Sequence, residues 1–489
     1  MFGNCFLVID YFCMSKTFYI TTPIFYPNAN LHMGHAYSTT LADIIARYRR
    51  LLNDDVYLLT GADENTEKVV RAASAANIEP QGYLDGIVQN FKTLFQKLHI
   101  SYDQFIRTSD EKVHWPGAQA MWQRLVDAGD IEKRSYQGLY CVGHEAFITE
   151  KELMNGICPE HGEAPQQISE ENYFFRLSKY THLVRGKIQR GELEIIPETR
   201  RNEILALLER GLEDVSFSRP SHKVSVGIPV PGDASQKIYV WCDALVNYIS
   251  ALGFGRVDDT LFKQFWPADV HIIGKDILRF HAAIWPAMLL SAKLPLPKRL
   301  LVHGFITSGG KKMSKTLGNV IDPSVLISEY GGEAVRFFLA RHVSPFEDSD
   351  FTPTSFKDAY NADLANGIGN LASRILKMAE DHLEEPITIE ENLIPEAYTH
   401  AFDTLNIQRA AEIISETVAR LDRRIQETQP FKLVKTDSEK GKAVITELVV
   451  DLYTVGRMLN PFMPETSKKI KELIKGNRMP SEPLFPRKA

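Results

Sequence analysis

His32 and His35 stand one helical turn apart in "NANLHMGHAYSTTLADIIARYRR", with Gly34 between them, where a helical pattern begins. Two imidazoles so placed can donate hydrogen bonds to phosphate oxygens. The first turn of a helix also carries N–H groups without partners inside the helix, and these attract anions. Gly34 has no side chain and lets a bulky ligand approach the backbone. Far downstream, "HGFITSGGKKMSKTLGN" sets Lys311, Lys312 and Lys315 after the flexible pair Gly309-Gly310. Lysine is a compact charge on a long stem. Such a loop can fold over a triphosphate and neutralise charge developing on it. A third group, "CVGHEAFITEKELMNGICPEHG", holds Cys141 and His144 as one C-x2-H pair and Cys158 and His161 as a second. Two such pairs suit a tetrahedral structural zinc. All four positions would be filled, so no metal catalysis is expected there.

These residues need a scaffold. "TFYITTP" reads as a buried strand ending at Pro23. Leu41, Ile44, Ile45, Tyr48, Leu51 and Leu52 then recur at helical spacing. Asn53, Asp54 and Asp55 break that helix, and "VYLLTGAD" is a second strand. The result is a right-handed βαβ unit, and ligands bind such sheets at the carboxyl ends of the strands. "RLLVHGFI" is another strand, leading to the lysine loop, and "DVHII" a further one, leading to Gly274 and Asp276. Ile277, His281 and Trp285 are four apart and share one helix face with Ile284 and Met288. Pro286 lies inside this helix and is expected to kink it. From about Thr352 the pattern is helical throughout. Leu364, Ile368, Leu371, Ile375 and Met378 form one apolar stripe, and Leu448, Leu452, Val455 and Leu459 another, which predicts a helical bundle.

The 489 residues provide for roughly two to four domains. Hydrophobic residues make up 44% and charged residues 24%, as in a globular protein with a real core. No apolar run is long enough for a membrane span. "MFGNCFLVIDYFC" lacks a basic start and a cleavage site, so it is a poor signal peptide, and Met14 is a candidate start. Five scattered cysteines fit a reducing cytosol, so a cytoplasmic location is expected. A net charge of −6 does not announce a nucleic-acid partner, but binding needs only a local basic face.

"HMGH" followed by "KMSKT" resembles the signature pair of class I aminoacyl-tRNA synthetases. "TTPIFYPNANLHMGHAYSTTLADIIARY", "LTGADENTEKV", "YVWCDALVNYISALG", "HIIGKDILRFHAAIWPAML" and "NADLANGIGNLASR" are similar to segments of the methionyl-tRNA synthetases, in the same order. The resemblance implies a Rossmann-type α/β catalytic domain split by a connective insertion and followed by an α-helical anticodon-binding bundle. The expected boundaries are 1–13 for an extension and 14–119 and 237–325 for the catalytic halves. The insertion takes 120–236, a linking region 326–352 and the bundle 353–489. The implied activity joins L-methionine to ATP, releases pyrophosphate, and passes the methionyl group to the terminal adenosine of its tRNA. ATP would arrive with Mg2+.

Roles follow from the same match. His32, His35, Lys312 and Lys315 are the expected catalytic residues, with Gly34, Gly274 and Asp276 also on ATP. Pro23, Ile24, Tyr26, Asp63, Trp241, Ala244 and Leu245 are expected around methionine. Tyr248, Ile277, His281 and Trp285 complete that pocket, where a thioether gains about 0.3–1.5 kcal/mol beside an aromatic ring. Asn370, Arg374 and Phe431 match anticodon readers, Phe431 standing where the family usually has tryptophan. Thr316 replaces the usual serine of the lysine signature and keeps its hydroxyl. Among other class I enzymes, those for branched side chains carry a larger editing insertion than 120–236. No appended oligonucleotide-binding barrel is expected after the bundle, and a monomer is expected.

Overall fold

The computed structural model describes residues 16–141, 146–148, 150, 153–159, 162–313, 319–389 and 394–488. Six parallel strands form its central sheet: β1 (Thr17–Phe25), β2 (Asp55–Ala62), β3 (Gln104–Arg107), β4 (Glu194–Ile196), β5 (Val270–Gly274) and β6 (Arg299–His303). They lie in the order β3-β2-β1-β5-β6-β4. Ile20, Leu58, Leu59, Ile272, Ile273, Leu300 and Leu301 are all fully buried. A parallel sheet covered on both faces demands such continuous apolar runs rather than alternation. Helix α1 (Met33–Leu51) is the crossover between β1 and β2, and it ends where Leu52 caps and Asn53 turns left-handed at φ 64°.

Four details differ from the sequence reading. β1 does not stop at Pro23 but runs to Phe25, with a register shift between Thr21 and Ile24. Proline lacks the ladder N–H, so the strand bulges there instead of ending. "RLLVHGFI" is two strands, β6 and a short one over Ile306–Ser308. Gly304 separates them, and a Cβ there would lie 2.3 Å from the Glu347 carbonyl oxygen. β4 lies inside the segment read as an insertion, yet it pairs with β6 through Ile195↔Leu300 and its neighbours. The "ILRFHAAIWP" helix is not uniform. A π-turn over Phe280–Ile284 precedes helix Trp285–Ser291, which Pro286 opens. The missing proline N–H favours the wider turn.

The segment also holds an antiparallel sheet ordered Ala146–Ile148, Ile131–Cys141, Gln166–Phe175, Val215–Ser216, a second one ordered Pro229–Val230, Asp233–Ile238, Ser218–Pro220, and the helices Thr181–Gln189 and Glu198–Glu209 on either side of β4. The carboxyl-terminal region is helical, its longest helices being Ile407–Thr428 and Ser438–Leu459. Both predicted stripes are buried in it. A fully buried ion pair ties it to α1: Arg336 Nη2 lies 2.7 Å from Asp43 Oδ2. Arg336 also donates to the carbonyls of Leu98, Pro461 and Phe462. Buried charges persist only with such full hydrogen bonding. Among the described residues no helix is long and apolar enough to cross a membrane.

Candidate active site

A cleft of about 1100 Å³ opens at the carboxyl ends of β1, β2, β5 and β6. His32 is the N-cap of α1, and its Nδ1 accepts from Gly34 N at 3.0 Å. His35 returns the bond: its Nδ1 accepts from His32 N at 3.1 Å. This is a capping box made of imidazoles. It has a chemical consequence. Each Nδ1 is an acceptor, so each neutral ring carries its proton on Nε2. The rings lie 3.9 Å apart between centroids and both line the cleft. The expectation of free amides at this helix start is corrected. Met33 N donates to the Ile321 carbonyl and His35 N to that of His32, so imidazoles, not backbone, face a ligand. Gly34 has a local reason as well, because a Cβ would sit 2.9 Å from His32 Cε1.

Burial holds His35 well below the ordinary histidine value, and the nearby His32 and His303 lower it further. His303 was not anticipated. It lines the cleft, its Nδ1 donates to the Gly304 carbonyl at 2.8 Å, and its Nε2 faces Ser38 Oγ at 2.7 Å. Burial lowers its pKa too. On the opposite side Gly274 brings Asp276 to the rim. A Cβ at Gly274 would collide with Asp276 Oδ1 at 2.6 Å.

The remaining wall is aromatic and apolar. The bulge in β1 brings Pro23, Ile24 and Tyr26 to the cleft, and helix α2 (Val240–Leu245) brings Trp241, Ala244 and Leu245. Trp241 stacks on Phe280 at 3.7 Å and 9°. Tyr248, Ile277, His281 and Asp63 close the floor. Tyr248 OH lies 2.8 Å from His281 Nε2, while His281 Nδ1 donates to the Ile277 carbonyl at 2.9 Å. That carbonyl fixes the tautomer, so the Tyr248 hydroxyl donates to Nε2. Burial pushes His281 down to about 4, which keeps this imidazole uncharged near neutral pH. Trp285 is the exception. It is fully buried and does not line the cleft, because the π-turn rotates it behind Tyr248, 6.1 Å away, and against Trp266. Asn247 and Met313 line the cleft and carry no periodic signal in the sequence.

Stability should follow these rings. An unfolded histidine titrates near pH 6.5, whereas folded His281 resists protonation to about 4. Between those values the unfolded chain binds more protons, so stability falls as pH falls, by about 1.4 kcal/mol per pH unit for this residue. His281→Gln should therefore show a shallower decline of Tm from about pH 6.5 to 4.5. An unchanged slope in calorimetry would refute the assignment.

Lys315 and Thr316 lie outside the described residues, as do His144 and His161. Lys312 ends the short strand Lys311–Lys312, which follows Gly309 and Gly310 at φ 62° and 70°. Cys141 and Cys158 are buried, at 2% and 1% exposure, while nearby Met154 is 67% exposed. Among the described residues no group of three or more His, Cys, Asp or Glu converges on a metal position. Asn370 is exposed at the start of helix Asn370–His382, and Arg374, one turn on, is paired with Asp422. Phe431 is 43% exposed on helix Pro430–Thr436.

The family model for class I tRNA synthetases (M) matches residues 18–168 and 151–376. The methionine–tRNA ligase of Caldanaerobacter subterraneus subsp. tengcongensis is 43% identical over 477 residues, covering 94% of this chain and 74% of its own. That of Thermotoga maritima is 40% identical over 483 residues, 95% and 76%. The Mycobacterium tuberculosis methionyl-tRNA synthetase in complex with methionyl-adenylate superposes with a TM-score of 0.88 at 36% identity, covering 96% of this chain and 100% of that one. Fold, cleft and similarity agree, and the chain belongs to the class I tRNA synthetases as a member of the methionine–tRNA ligase family.

Proposed function

We propose that this cleft makes methionyl-adenylate from L-methionine and ATP. The observation that carries the reading is the tautomer-locked pair His32–His35 sharing one cleft with an aromatic floor that holds one carboxylate, Asp63. The methionine side chain would lie against Trp241, Tyr248 and His281, between Ile24, Pro23, Ala244, Leu245 and Ile277. Tyr26 would form the outer wall, and Asp63 would meet the ammonium. The adenine would rest over Gly34, and Gly274 and Asp276 would serve the ribose. The substrate carboxylate is already a nucleophile. Its oxygen attacks the α-phosphorus, the bond to the β-phosphate oxygen breaks, and pyrophosphate leaves. No general base is needed, so the protein's work is positioning and charge stabilisation. The Nε2–H groups of His32 and His35, with Lys312 and Lys315, would supply it. Mg2+ takes oxygen ligands and commonly keeps water and substrate phosphates. Asp63 and Asp276 are the carboxylates among the cleft's described lining, so the ion would ride chiefly on the phosphates. In the second step the terminal 2′-hydroxyl of the tRNA attacks the carbonyl carbon and AMP leaves. ATP–pyrophosphate exchange tested with each of the twenty amino acids should respond to methionine. Exchange with another amino acid, or with none, would overturn the reading.

The helical region, 353–489, is read as the anticodon module, with Asn370 and Arg374 supplying hydrogen bonds and Phe431 a stacking face. The exposure of Phe431 supports this over a core role. Stacking is worth about 1–3 kcal/mol per base. Phe431→Ala should raise the tRNA concentration needed for charging at least fivefold and leave exchange with methionine unchanged. Charging like wild type would remove Phe431 from the tRNA surface.

A structural zinc on Cys141, His144, Cys158 and His161 fits the burial of both thiols, Cys158 directly after the exposed residues 154–157. It also fits the hairpin pairing Cys141↔Ala146, between whose partners His144 falls in the sequence. Purified protein should hold about one zinc per chain, and Cys158→Ala should lose it. Metal-free wild-type protein by elemental analysis would exclude the site. A monomer acting in the cytoplasm, where charged tRNA is used, completes the reading.

A further inference from the structure

A buried polar chain runs behind the cleft and meets it at one lining residue, Asp63. His114 is the N-cap residue of helix Trp115–Asp127, and both it and Asp243 are fully buried. His114 Nε2 donates to Asp243 Oδ1, and its Nδ1 lies 2.8 Å from Ser250 Oγ. Gly117 makes this approach possible, because a Cβ there would lie 2.5 Å from Ser250 Cβ. The second carboxylate oxygen of Asp243 accepts from Asn65 Nδ2 at 2.7 Å. The same amide donates to the Thr108 carbonyl at 2.9 Å. Thr108 Oγ1 accepts from Glu64 N at 2.8 Å and reaches Asp63 Oδ1 at 3.5 Å. The chain thus begins on α2, whose Trp241, Ala244 and Leu245 line the cleft, and ends at the cleft carboxylate Asp63. A buried carboxylate and imidazole are costly unless each hydrogen bond is made. A stripe of apolar residues would pack α2 as well. What the polar chain adds is direction: it fixes the Asn65 amide, and through Thr108 the loop that presents Asp63.

We propose that Asp243 and His114 are positioning residues for recognition of the amino-acid ammonium. The proposal rests on reading Asp63 as the partner of that ammonium. Two inhibitors test it: methionyl-sulfamoyl-adenosine, and the same molecule without its α-amino group. Asp243→Asn should weaken the first about tenfold, the scale of one hydrogen bond to a charged group, and the second less than twofold. His114→Ala should do the same. His114→Gln, whose amide can still donate to Asp243, should restore most of the loss. Asp63→Asn is the control. If Asp63→Asn weakens both inhibitors equally, the reading of Asp63 fails. If it is selective while Asp243→Asn and His114→Ala weaken both inhibitors equally, or neither, the chain is only structural and the proposal is overturned.

Discussion

His35→Ala is expected to slow methionyl-adenylate formation by about 10²–10³-fold, the loss typical of one donor aimed at transition-state charge. The expectation follows from the capping box. Because Nδ1 of His35 is committed to His32 N, the ring has one free function, an Nε2–H donor facing the cleft. Because burial holds its pKa well below 6.5, that donor is neutral and unchanged through physiological pH. Adenylate formation should therefore show no acid limb from this residue near pH 6.5. Methionine affinity should change little, since the aromatic floor is formed by other elements. Single-turnover rates and methionine binding by fluorescence separate the two effects. A wild-type rate would remove His35 from the chemistry.

Lys315→Ala should lower the same step by a similar factor, roughly 10²–10³-fold, through the leaving pyrophosphate. The chain leading into its loop is anchored by described residues. Asp350 Oδ1 accepts from Gly310 N and from Thr307 Oγ1, each at 2.8 Å, and Met313 is buried against the cleft. Pyrophosphate affinity in the reverse reaction should fall with the forward rate, and methionine affinity should not. Normal single-turnover adenylate formation in this variant would sink the role of the lysine loop.

How much of this could be read from residues alone depended on range. The βαβ unit around His32 was legible because strand, helix and turn signals are local and strong. The cleft positions Trp241, Tyr248 and His281 were legible only through long segments resembling a known family, since an isolated aromatic stripe also fits a core. Trp285 packs behind Tyr248 instead of on the cleft lining, because a π-turn, which adds a residue per turn, interrupts the helical period between it and Ile277. His303 was missed because it stands alone at a strand end, where type carries no periodicity. β4 was missed because three residues, Glu194–Ile196, are too short to signal a strand. The reciprocal cap of His32 and His35 needed coordinates, because spacing does not tell which ring nitrogen is occupied.

β4 bears on how this enzyme could be dismantled. A segment lying between two halves of a nucleotide fold invites treatment as a removable cassette. Yet Glu194–Ile196 covers the outer edge of β6 with its own backbone. Excising 120–236 would strip that edge and leave a row of unpaired N–H and C=O groups on Arg299–Leu301, the kind of surface that recruits strands from other chains. Truncation that respects modularity must keep β4 and the helices that deliver it, and cut only within the antiparallel sheet beyond.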